Sequence, residues 1–465
     1  MEGIRNFSLF FVQEPIIEES NFYVNGTFTD FSRFALTCAS ELSMIKNSLR
    51  LSYKETAMML TLESFKSARS VLQAVLRPTP LIHSPYLSKN CRNNVYLKPE
   101  NMQATGAYKL RGAYYKISTL SQEEKDRGLV TASAGNHAQG VAYAAQAAGV
   151  AATIVMPTTT PLVKVNNTKD YGAKVVLHGE VFDDAAELAA KLAREEGLTY
   201  VHPFNDLTLA TGQGTIAYEI FQDLPDVDAI LVPIGGGGLA AGVSALAKLL
   251  NPHVEVIGVE PTGAASMKAS LEAGHVVTLP TATTIADGVA VKTPGDKIFP
   301  YVQKNVDRII TIDDSELVEA FLDVMERHKM VVENAGLLPV AALRHLECEG
   351  RNVVCVLSGG NMDVITMASL VQHGLIQRGR IFTFAVRLPD RPGSLLAVSR
   401  ILAENNGNVI KLEHNQFISI NRNAAVELRI TLEAEGTDHK NRIVQALQDE
   451  GYRPKLVKSK GTYSD

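Results

Sequence analysis

The sequence predicts an α/β protein with a smaller, separate α+β module at its carboxyl end. Two observations predict this fold class. Short apolar segments alternate with amphipathic segments up to about residue 375, and the pattern changes to longer alternating strands after Gly379. A chain of 465 residues, 46% of them hydrophobic, is also long enough for two or three domains with large cores. Strands separated by helices favour a parallel sheet with right-handed crossovers.

Seven short apolar runs in the first region are predicted to be buried strands. They are Val95–Leu97, Leu129–Ala132, Ala152–Met156, Lys174–Leu177, Ala229–Pro233, Glu255–Val259 and Val353–Leu357. The helices predicted between them are Ala138–Ala148, Asp183–Glu196 and Leu239–Leu250. We expect two sheets within a domain of residues 59–375, the smaller sheet in a subdomain at about residues 128–205.

Residues 380–465 form the predicted C-terminal domain. Its strands and helices follow the order βαββαβ of a ferredoxin-like module. They are Ile381–Leu388, Leu395–Asn405, Val409–His414, Ala425–Leu432, His439–Asp449 and Pro454–Val457.

Residues 1–58 lack this alternation, and we expect them to form a poorly ordered N-terminal extension. The apolar run Phe7–Val12 is shorter than the roughly 7–15 residues of a signal-peptide core. No run approaches the roughly 20 apolar residues of a membrane span. The net charge of -5 comes from interspersed acids and bases, which argues against nucleic acid or an anionic membrane as a partner. The four cysteines include no CxxC pair, so we expect a reduced, cytoplasmic protein without a zinc cluster.

Lys109 lies in the run Thr105–Gly112 (TGAYKLRG), and three further glycine-containing segments follow it. They are Ser133–Gly140 (SAGNHAQG), Gly235–Leu239 (GGGGL) and Ser358–Asn361 (SGGN). In this order they resemble the threonine dehydratase and serine racemase family of pyridoxal phosphate (PLP) enzymes. Within that family the chain resembles the threonine ammonia-lyases with a C-terminal regulatory ACT domain, whose turn matches Asp390–Ser394. The resemblance runs from about Met59 to the C-terminus and implies a two-subdomain catalytic domain like that of tryptophan synthase β.

The resemblance assigns the central role to Lys109. A lysine amine near its reference pKa of about 10.4 is mostly protonated and a poor nucleophile. An arbitrary lysine on a helix is usually a surface residue. By the resemblance, Lys109 instead holds the cofactor covalently and acts as the base once it is released. Many family members have serine where this chain has Ala107. The alanine removes at most a hydroxyl beside the cofactor phosphate.

The glycine run follows a predicted strand and opens a predicted helix, where converging N–H groups and the helix dipole favour a phosphate. The phosphate site is expected at Gly235, Gly236, Gly237, Gly238 and Leu239.

A competing interpretation of the glycine run is the dinucleotide pattern G-x-G-x-x-A. Gly235, Gly237 and Ala240 fit that pattern, and Glu260 follows at the end of the next strand. A nicotinamide enzyme would leave Lys109 and the SGGN turn unexplained.

The loop Ser133–His137 follows a strand, at the sheet edge where α/β proteins place ligands. The resemblance implies that the N–H groups of Ser133, Ala134, Gly135, Asn136 and His137 receive the substrate carboxylate. It also implies that the Asn136 side chain donates to the 3′-oxygen of PLP. We expect His137 to be structural.

Ser358 matches the family serine that hydrogen-bonds the pyridine nitrogen. A hydroxyl partner need not keep that nitrogen protonated, which favours expelling a β-substituent over transamination. A helix-capping role for Ser358 is also compatible with its place before a helix.

Two departures from the family pattern narrow the chemistry. Racemising members have serine at the position of Ala134, where the hydroxyl delivers a proton opposite the lysine, so Ala134 favours elimination. Metal-binding members use a Glu and an Asp near Glu260–Ser266, but this chain has Ser266 where the Asp is expected. We therefore expect no divalent metal site.

The resemblance implies deamination of L-threonine to 2-oxobutanoate and ammonia. L-Serine should also react, because a methylene-sized difference is worth only about 1–3 kcal/mol in a pocket. An L-serine or hydroxyaspartate dehydratase is the alternative among enzymes. A non-catalytic amino-acid sensor is the alternative from another class, and the intact Lys109 argues against it.

The resemblance further implies allosteric regulation by an amino acid bound at the ACT domain, in a homo-oligomer that is a dimer or a tetramer. The expected effector site is the turn made by Asp390, Pro392, Gly393, Ser394 and Leu395.

Overall fold

The structure is a computed structural model that describes residues 60–415 and 426–457. The described residues belong to one unit, Met58–Asp465. The predicted N-terminal extension, residues 1–58, lies outside the described residues, as does Ala425 at the start of a predicted strand.

The strands of the described residues follow in chain order. They are β1 (Ile82–His83), β2 (Asn94–Pro99), β3 (Leu129–Ala132), β4 (Ala152–Met156), β5 (Lys174–Leu177), β6 (Thr199–Tyr200), β7 (Ala229–Pro233), β8 (Glu255–Pro261), β9 (Arg308–Ile312), β10 (Asn352–Leu357), β11 (Ile381–Leu388), β12 (Asn408–Asn415), β13 (Val426–Glu433) and β14 (Lys455–Val457).

The α-helices of the same residues are numbered in the same way. They are α1 (Leu62–Leu72), α2 (Pro85–Cys91), α3 (Lys109–Ser118), α4 (Gln122–Arg127), α5 (Asn136–Ala148), α6 (Leu162–Asp170), α7 (Phe182–Glu195), α8 (Leu207–Asp223), α9 (Gly238–Leu250), α10 (Ser266–Ala273), α11 (Phe299–Asn305), α12 (Asp314–His328), α13 (Asn334–Ala342), α14 (Val364–Gln377), α15 (Ser394–Glu404) and α16 (Thr437–Asp449).

Three sheets organise these elements. The largest has the order β1-β2-β10-β7-β8-β9, a second has the order β5-β4-β3-β6, and the third has the order β12-β13-β11-β14. The second sheet is parallel throughout its described pairs. In the largest sheet only β1 is antiparallel to its neighbour. The third sheet is antiparallel.

The predicted mixed α/β fold class is confirmed, including the antiparallel C-terminal sheet with helices α15 and α16. Strands β3, β4, β5 and β7 have the predicted bounds. The domain boundaries near residues 58, 375 and 380 stay predictions. Three edge strands, β1, β6 and β9, were not predicted from the sequence.

Three strand-to-helix or strand-to-turn junctions lie at the carboxyl ends of parallel strands. β3 leads into α5, β7 leads into α9, and β10 leads into the SGGN turn. This sheet edge is where α/β folds place ligands. Helix α9 packs so closely on α8 that a Cβ at Gly242 would lie 2.1 Å from the carbonyl oxygen of Ala210.

The junction between α14 and the C-terminal sheet is held to helix α12 by charged side chains. Arg378 donates from Nη2 to Asp323 Oδ1 at 2.6 Å, and Arg380 Nη1 pairs with Glu326 Oε1 at 2.5 Å. Burial of Asp323 makes this contact stronger than an exposed ion pair. No helix among the described residues is long and apolar enough to cross a bilayer.

Candidate active site

Lys109 is the first residue of α3, and its side chain is partly buried. Its Nζ donates to the carbonyl oxygen of Pro203 at 2.6 Å. Burial lowers the pKa of the Lys109 amine to about 8, although the carboxyl of Glu333 acts in the opposite direction. A lysine with a lowered pKa is neutral, and hence nucleophilic, in a much larger fraction of molecules at neutral pH.

A buried ion network lies beneath the first turn of α3. Arg111 donates from Nε to Glu100 Oε2 at 2.7 Å and from Nη1 to Glu219 Oε1 at 2.6 Å. Lys98 Nζ also pairs with Glu219. Because buried charges of opposite sign compensate each other here, the network anchors the helix that starts with Lys109.

The segment before Lys109 hydrogen-bonds with the SGGN turn. The Tyr108 N–H donates to the Ser358 carbonyl at 3.0 Å, and the Gly360 N–H donates to the Gly106 carbonyl at 2.9 Å. The Ser358 side chain is buried, and no described residue forms a hydrogen bond with its hydroxyl. The hydroxyl of Ser358 is therefore free to meet a ligand.

Asn136 begins α5, and its side chain contacts a residue that the sequence analysis did not select. Asn136 Nδ2 donates to Glu333 Oε1 at 2.6 Å. Burial raises the pKa of Glu333 to about 7, with a further contribution from Asp287. Lys109 also interacts electrostatically with Glu333, so the predicted lysine and asparagine lie around one buried carboxyl group.

The loop Ser133–Gly135 faces open space. A Cβ at Gly135 would meet no atom within 4 Å, whereas the Gly135 N–H donates to Ser133 Oγ at 3.3 Å. Ala134 lies beside it, partly exposed. The unpaired N–H groups of the first turn of α5 follow directly, which suits a carboxylate.

The glycine run is placed as predicted, between β7 and α9. Gly237 is the N-cap of α9 with a φ of 93°, and Gly236, Gly237 and Gly238 are buried. A Cβ at Gly236 would lie 2.2 Å from the Phe204 ring, and one at Gly238 would lie 2.8 Å from the Phe204 carbonyl oxygen. Phe204 follows Pro203, whose carbonyl oxygen accepts from Lys109 Nζ. The glycine run, which packs on Phe204, therefore lies near the lysine amine.

A phosphorylated cofactor fits this cradle. Among the described residues, no acceptor pairs with the backbone N–H groups of Gly236 and Gly237, although both glycines are buried. Buried N–H groups without partners are costly, and a phosphate would satisfy them at the N-terminus of α9.

Two histidines near Lys109 are neutral. Burial lowers the pKa of His137 to about 3 and that of His202 to about 4, and Lys109 adds to both shifts. His137 has a contact of 3.2 Å between Nε2 and the Val201 carbonyl oxygen, so Nε2 carries the proton. This geometry is compatible with a structural role for His137.

Glu260 disfavours the dinucleotide interpretation. Its carboxylate accepts the N–H groups of Met267 at 2.9 Å and Lys268 at 2.8 Å, at the start of α10. It is fully buried, and burial raises its pKa to about 7. Because this carboxyl group is fully buried and turned to the start of α10, it is not exposed to a ribose hydroxyl. The described residues contain no group of three or more His, Cys, Asp or Glu side chains that could hold a metal ion.

The predicted effector turn is exposed. Gly393 is the N-cap of α15 with a φ of 89°, and a Cβ there would meet no atom within 4 Å. Asp390, Ser394 and Leu395 are half-buried, and Pro392 is exposed. The structure therefore leaves room at this turn, and its effector role stays a prediction.

Four residues of the site were not predicted from the sequence: Glu333, Asn361, Pro203 and Phe204. Glu333 carried the clearest signal, because it interrupts the apolar stretch Met330–Leu338 with a charged residue. The other three carry no charge, and only the folded chain brings them to Lys109 and the glycine run.

Comparisons with known proteins agree with this geometry. Residues 72–359 match the family model described as pyridoxal-phosphate dependent enzyme. The chain is 44% identical over 400 residues to an L-threonine ammonia-lyase of Thermotoga maritima, covering 86% of this chain and 100% of that protein.

Solved structures show the same likeness. A processed threonine deaminase isoform 2 from Solanum lycopersicum has a TM-score of 0.65 and 39% identity, covering 67% of this chain and 87% of that one. A maize serine racemase has a TM-score of 0.64 and 33% identity, covering 68% of this chain and 98% of that one.

Proposed function

This chain belongs to the pyridoxal-phosphate dependent enzyme family, and we propose that within it the protein deaminates L-threonine to 2-oxobutanoate and ammonia. The observation that carries the proposal is the Lys109 amine, whose pKa is lowered to about 8 by burial, beside a glycine cradle with unpaired N–H groups. The name of the Thermotoga maritima relative supports threonine as the substrate.

Four parts of the chain would hold the cofactor. Lys109 would bind it covalently, Gly235–Leu239 would hold its phosphate, Ser358 would meet its ring nitrogen, and Asn136 would donate to its 3′-oxygen. Bound pyridoxal phosphate supplies an electron sink that stabilises negative charge at the substrate α-carbon.

The reaction then depends on residues that bind substrate and move protons. The N–H groups of Ala134, Asn136 and His137 would bind the substrate carboxylate at the N-terminus of α5. The other two N–H groups of the loop are occupied, because Ser133 donates to the Val155 carbonyl at 3.1 Å and Gly135 donates to Ser133 Oγ. Lys109 Nζ, once free and neutral, takes the α-proton, and the β-hydroxyl takes up a proton and leaves as water, so that the substrate loses one H and one OH. Because the rings of His137 and His202 are neutral, they place no positive charge beside Lys109 that would disfavour protonation of its amine.

The direct test is a rate measurement on purified, PLP-loaded protein with L-threonine, L-serine and hydroxyaspartate. We expect the highest kcat/KM with L-threonine and measurable pyruvate from L-serine. A higher kcat/KM with L-serine or hydroxyaspartate would support the dehydratase alternative. Binding of amino acids without turnover of any of the three would support the sensor alternative.

Ala134→Ser should increase racemisation of L-serine. The wild-type loop has no hydroxyl at this partly exposed position beside open space, so the resemblance leaves Lys109 as the group that returns a proton to the α-carbon. Chiral chromatography of D-serine against pyruvate measures the ratio. Wild-type protein that forms D-serine as fast as pyruvate would contradict the elimination assignment.

We propose that an amino-acid effector regulates the enzyme through the C-terminal domain, in a cytoplasmic homo-oligomer. The exposed turn at Gly393 supports this, because free N–H groups at the start of α15 can meet a carboxylate. The ion pairs of Arg378 and Arg380 with helix α12 would transmit the change, since only residues 329–332 separate the end of α12 from Glu333.

Gly393→Asp should abolish the effector's influence and spare the unregulated rate. The new carboxylate would occupy the open space and repel an amino-acid carboxylate. A coupling of about 1–3 kcal/mol would appear in wild type as a severalfold shift in half-saturating threonine. Threonine saturation with and without isoleucine, valine and other amino acids measures it. Gly451→Asp is the matched control, because Gly451 also has positive φ and open space. If no amino acid binds wild type by calorimetry, the domain has no effector.

A further inference from the structure

A directed chain of hydrogen bonds ends on the side chain of Asn136. It starts at the Thr105 carbonyl oxygen, which can only accept, and Asn361 Nδ2 donates to it at 2.8 Å. The same Nδ2 donates to Asn136 Oδ1 at 2.8 Å. Because a backbone carbonyl cannot donate, the Asn361 atom that contacts it must be the amide nitrogen. The Asn136 atom that contacts this nitrogen must then be the amide oxygen, Oδ1.

Glu333 fixes the position of the nitrogen end of the Asn136 amide. With Oδ1 turned to Asn361, Nδ2 faces Glu333 and donates to its Oε1 at 2.6 Å. An amide nitrogen has two hydrogens, and among the described residues only Glu333 accepts from Asn136 Nδ2. One N–H of Asn136 therefore remains for a ligand.

We propose that Asn361 and Glu333 are positioning residues, which lock the Asn136 amide with its free N–H directed towards the 3′-oxygen of the cofactor. The inference rests on the proposed function, in which Asn136 donates to that oxygen. Without either neighbour the amide could rotate by half a turn and present Oδ1, which would repel an anionic oxygen. The terminal torsion of asparagine has two broad wells, so neighbours must select one of them.

The surroundings of Glu333 suit this role. Glu333 is 7% exposed and is the N-cap residue of α13, where its carboxyl group makes no capping hydrogen bond and so remains turned to Asn136. The Glu333 N–H donates to the Gly359 carbonyl at 3.0 Å. A Cβ at Gly359 would lie 2.3 Å from Glu333 Oε1, so the carboxyl group has little room to move. Asn136 follows the smaller parallel sheet, whereas Glu333 and Asn361 flank the larger one. The lock therefore also joins these two parts of the structure.

The test is a titration of the cofactor-free protein with PLP, in which binding is monitored by visible absorbance. Asn361→Asp keeps the shape but replaces the donor by an acceptor, so that the Asn136 amide loses its fixed orientation. Glu333→Ala removes the acceptor at the other end. We expect each change to raise the Kd for PLP about tenfold and to shift the visible absorbance maximum.

Two further variants separate positioning from general damage. Glu333→Gln keeps an oxygen that can accept from Asn136, and we expect a Kd close to wild type. Asn334→Asp places a carboxylate at the neighbouring buried residue, whose Nδ2 donates to the Ile285 carbonyl rather than to Asn136, and we expect the wild-type spectrum.

The outcomes distinguish this inference from the proposed function. If wild type binds PLP and deaminates threonine, while Asn361→Asp and Glu333→Ala retain its Kd and spectrum, the positioning role is overturned. A Glu333→Gln variant that loses as much affinity as Glu333→Ala would also overturn it. If wild type binds no PLP, the proposed function itself is wrong.

Discussion

Lys109→Ala should abolish threonine deamination together with the visible absorbance of bound cofactor. The change removes an amine whose pKa is lowered to about 8 by burial. This amine donates a hydrogen bond to the Pro203 carbonyl oxygen at 2.6 Å. Loss of a general base alone costs roughly 10²–10⁴-fold in rate, and loss of the covalent attachment adds to that. Steady-state formation of 2-oxobutanoate and a visible spectrum of the purified protein measure both effects.

Lys116→Ala is the matched control for that variant. Lys116 lies seven residues further along the same helix, and its Nζ pairs with Asp206 at 2.8 Å rather than with Pro203. We expect it to retain the spectrum and most of the activity. A Lys109→Ala protein that deaminates threonine near the wild-type rate would show that another residue is nucleophile and base.

Gly237→Val should weaken PLP binding by about 100-fold or more. Gly237 has a φ of 93°, where a β-branched residue is strongly strained, and a Cβ would lie 2.5 Å from Met267 Cε. The loop must move, so the N–H groups of the cradle lose their convergence on the phosphate. Each charge-assisted hydrogen bond contributes about 1.5–3 kcal/mol, and two of them account for this loss.

The control for the cradle is Gly274→Val. Gly274 also has a positive φ, of 74°, but a Cβ there would meet no atom within 4 Å. The variant therefore has comparable backbone strain at the end of α10, without disturbing the cradle. Titration with PLP, alongside thermal unfolding, compares the two proteins. Equal losses of PLP affinity in both would mean that backbone strain, and not the phosphate cradle, causes the effect.

The strands that carry the site could be predicted because each is an apolar run between polar or glycine residues. β3 and β7 have the predicted bounds, and β10 begins one residue earlier than predicted. Since ligands lie at the carboxyl ends of such strands, the loops after them could be selected from the sequence alone. Strand β9, Arg308–Ile312, was not predicted, although its isoleucine and threonine residues are typical of a strand and acidic residues flank it.

The residues that contact the predicted site residues could not be predicted from the sequence. Asn136 and Glu333 are 197 residues apart, and Asn136 and Asn361 are 225 apart. No local periodicity links such positions, because their contact depends on how two sheets meet. The lowered pKa of Lys109 has the same origin, since burial of its amine is a property of the folded chain.

Identification of the residue that binds PLP tests the central claim most directly. The PLP-loaded protein is reduced with borohydride, digested and analysed by peptide mass spectrometry. The account predicts that the phosphopyridoxyl group is found on the peptide TGAYKLRG at Lys109, and that L-threonine added before reduction lowers the labelling. Labelling of a different lysine, or no labelled lysine in protein that deaminates threonine, would contradict it.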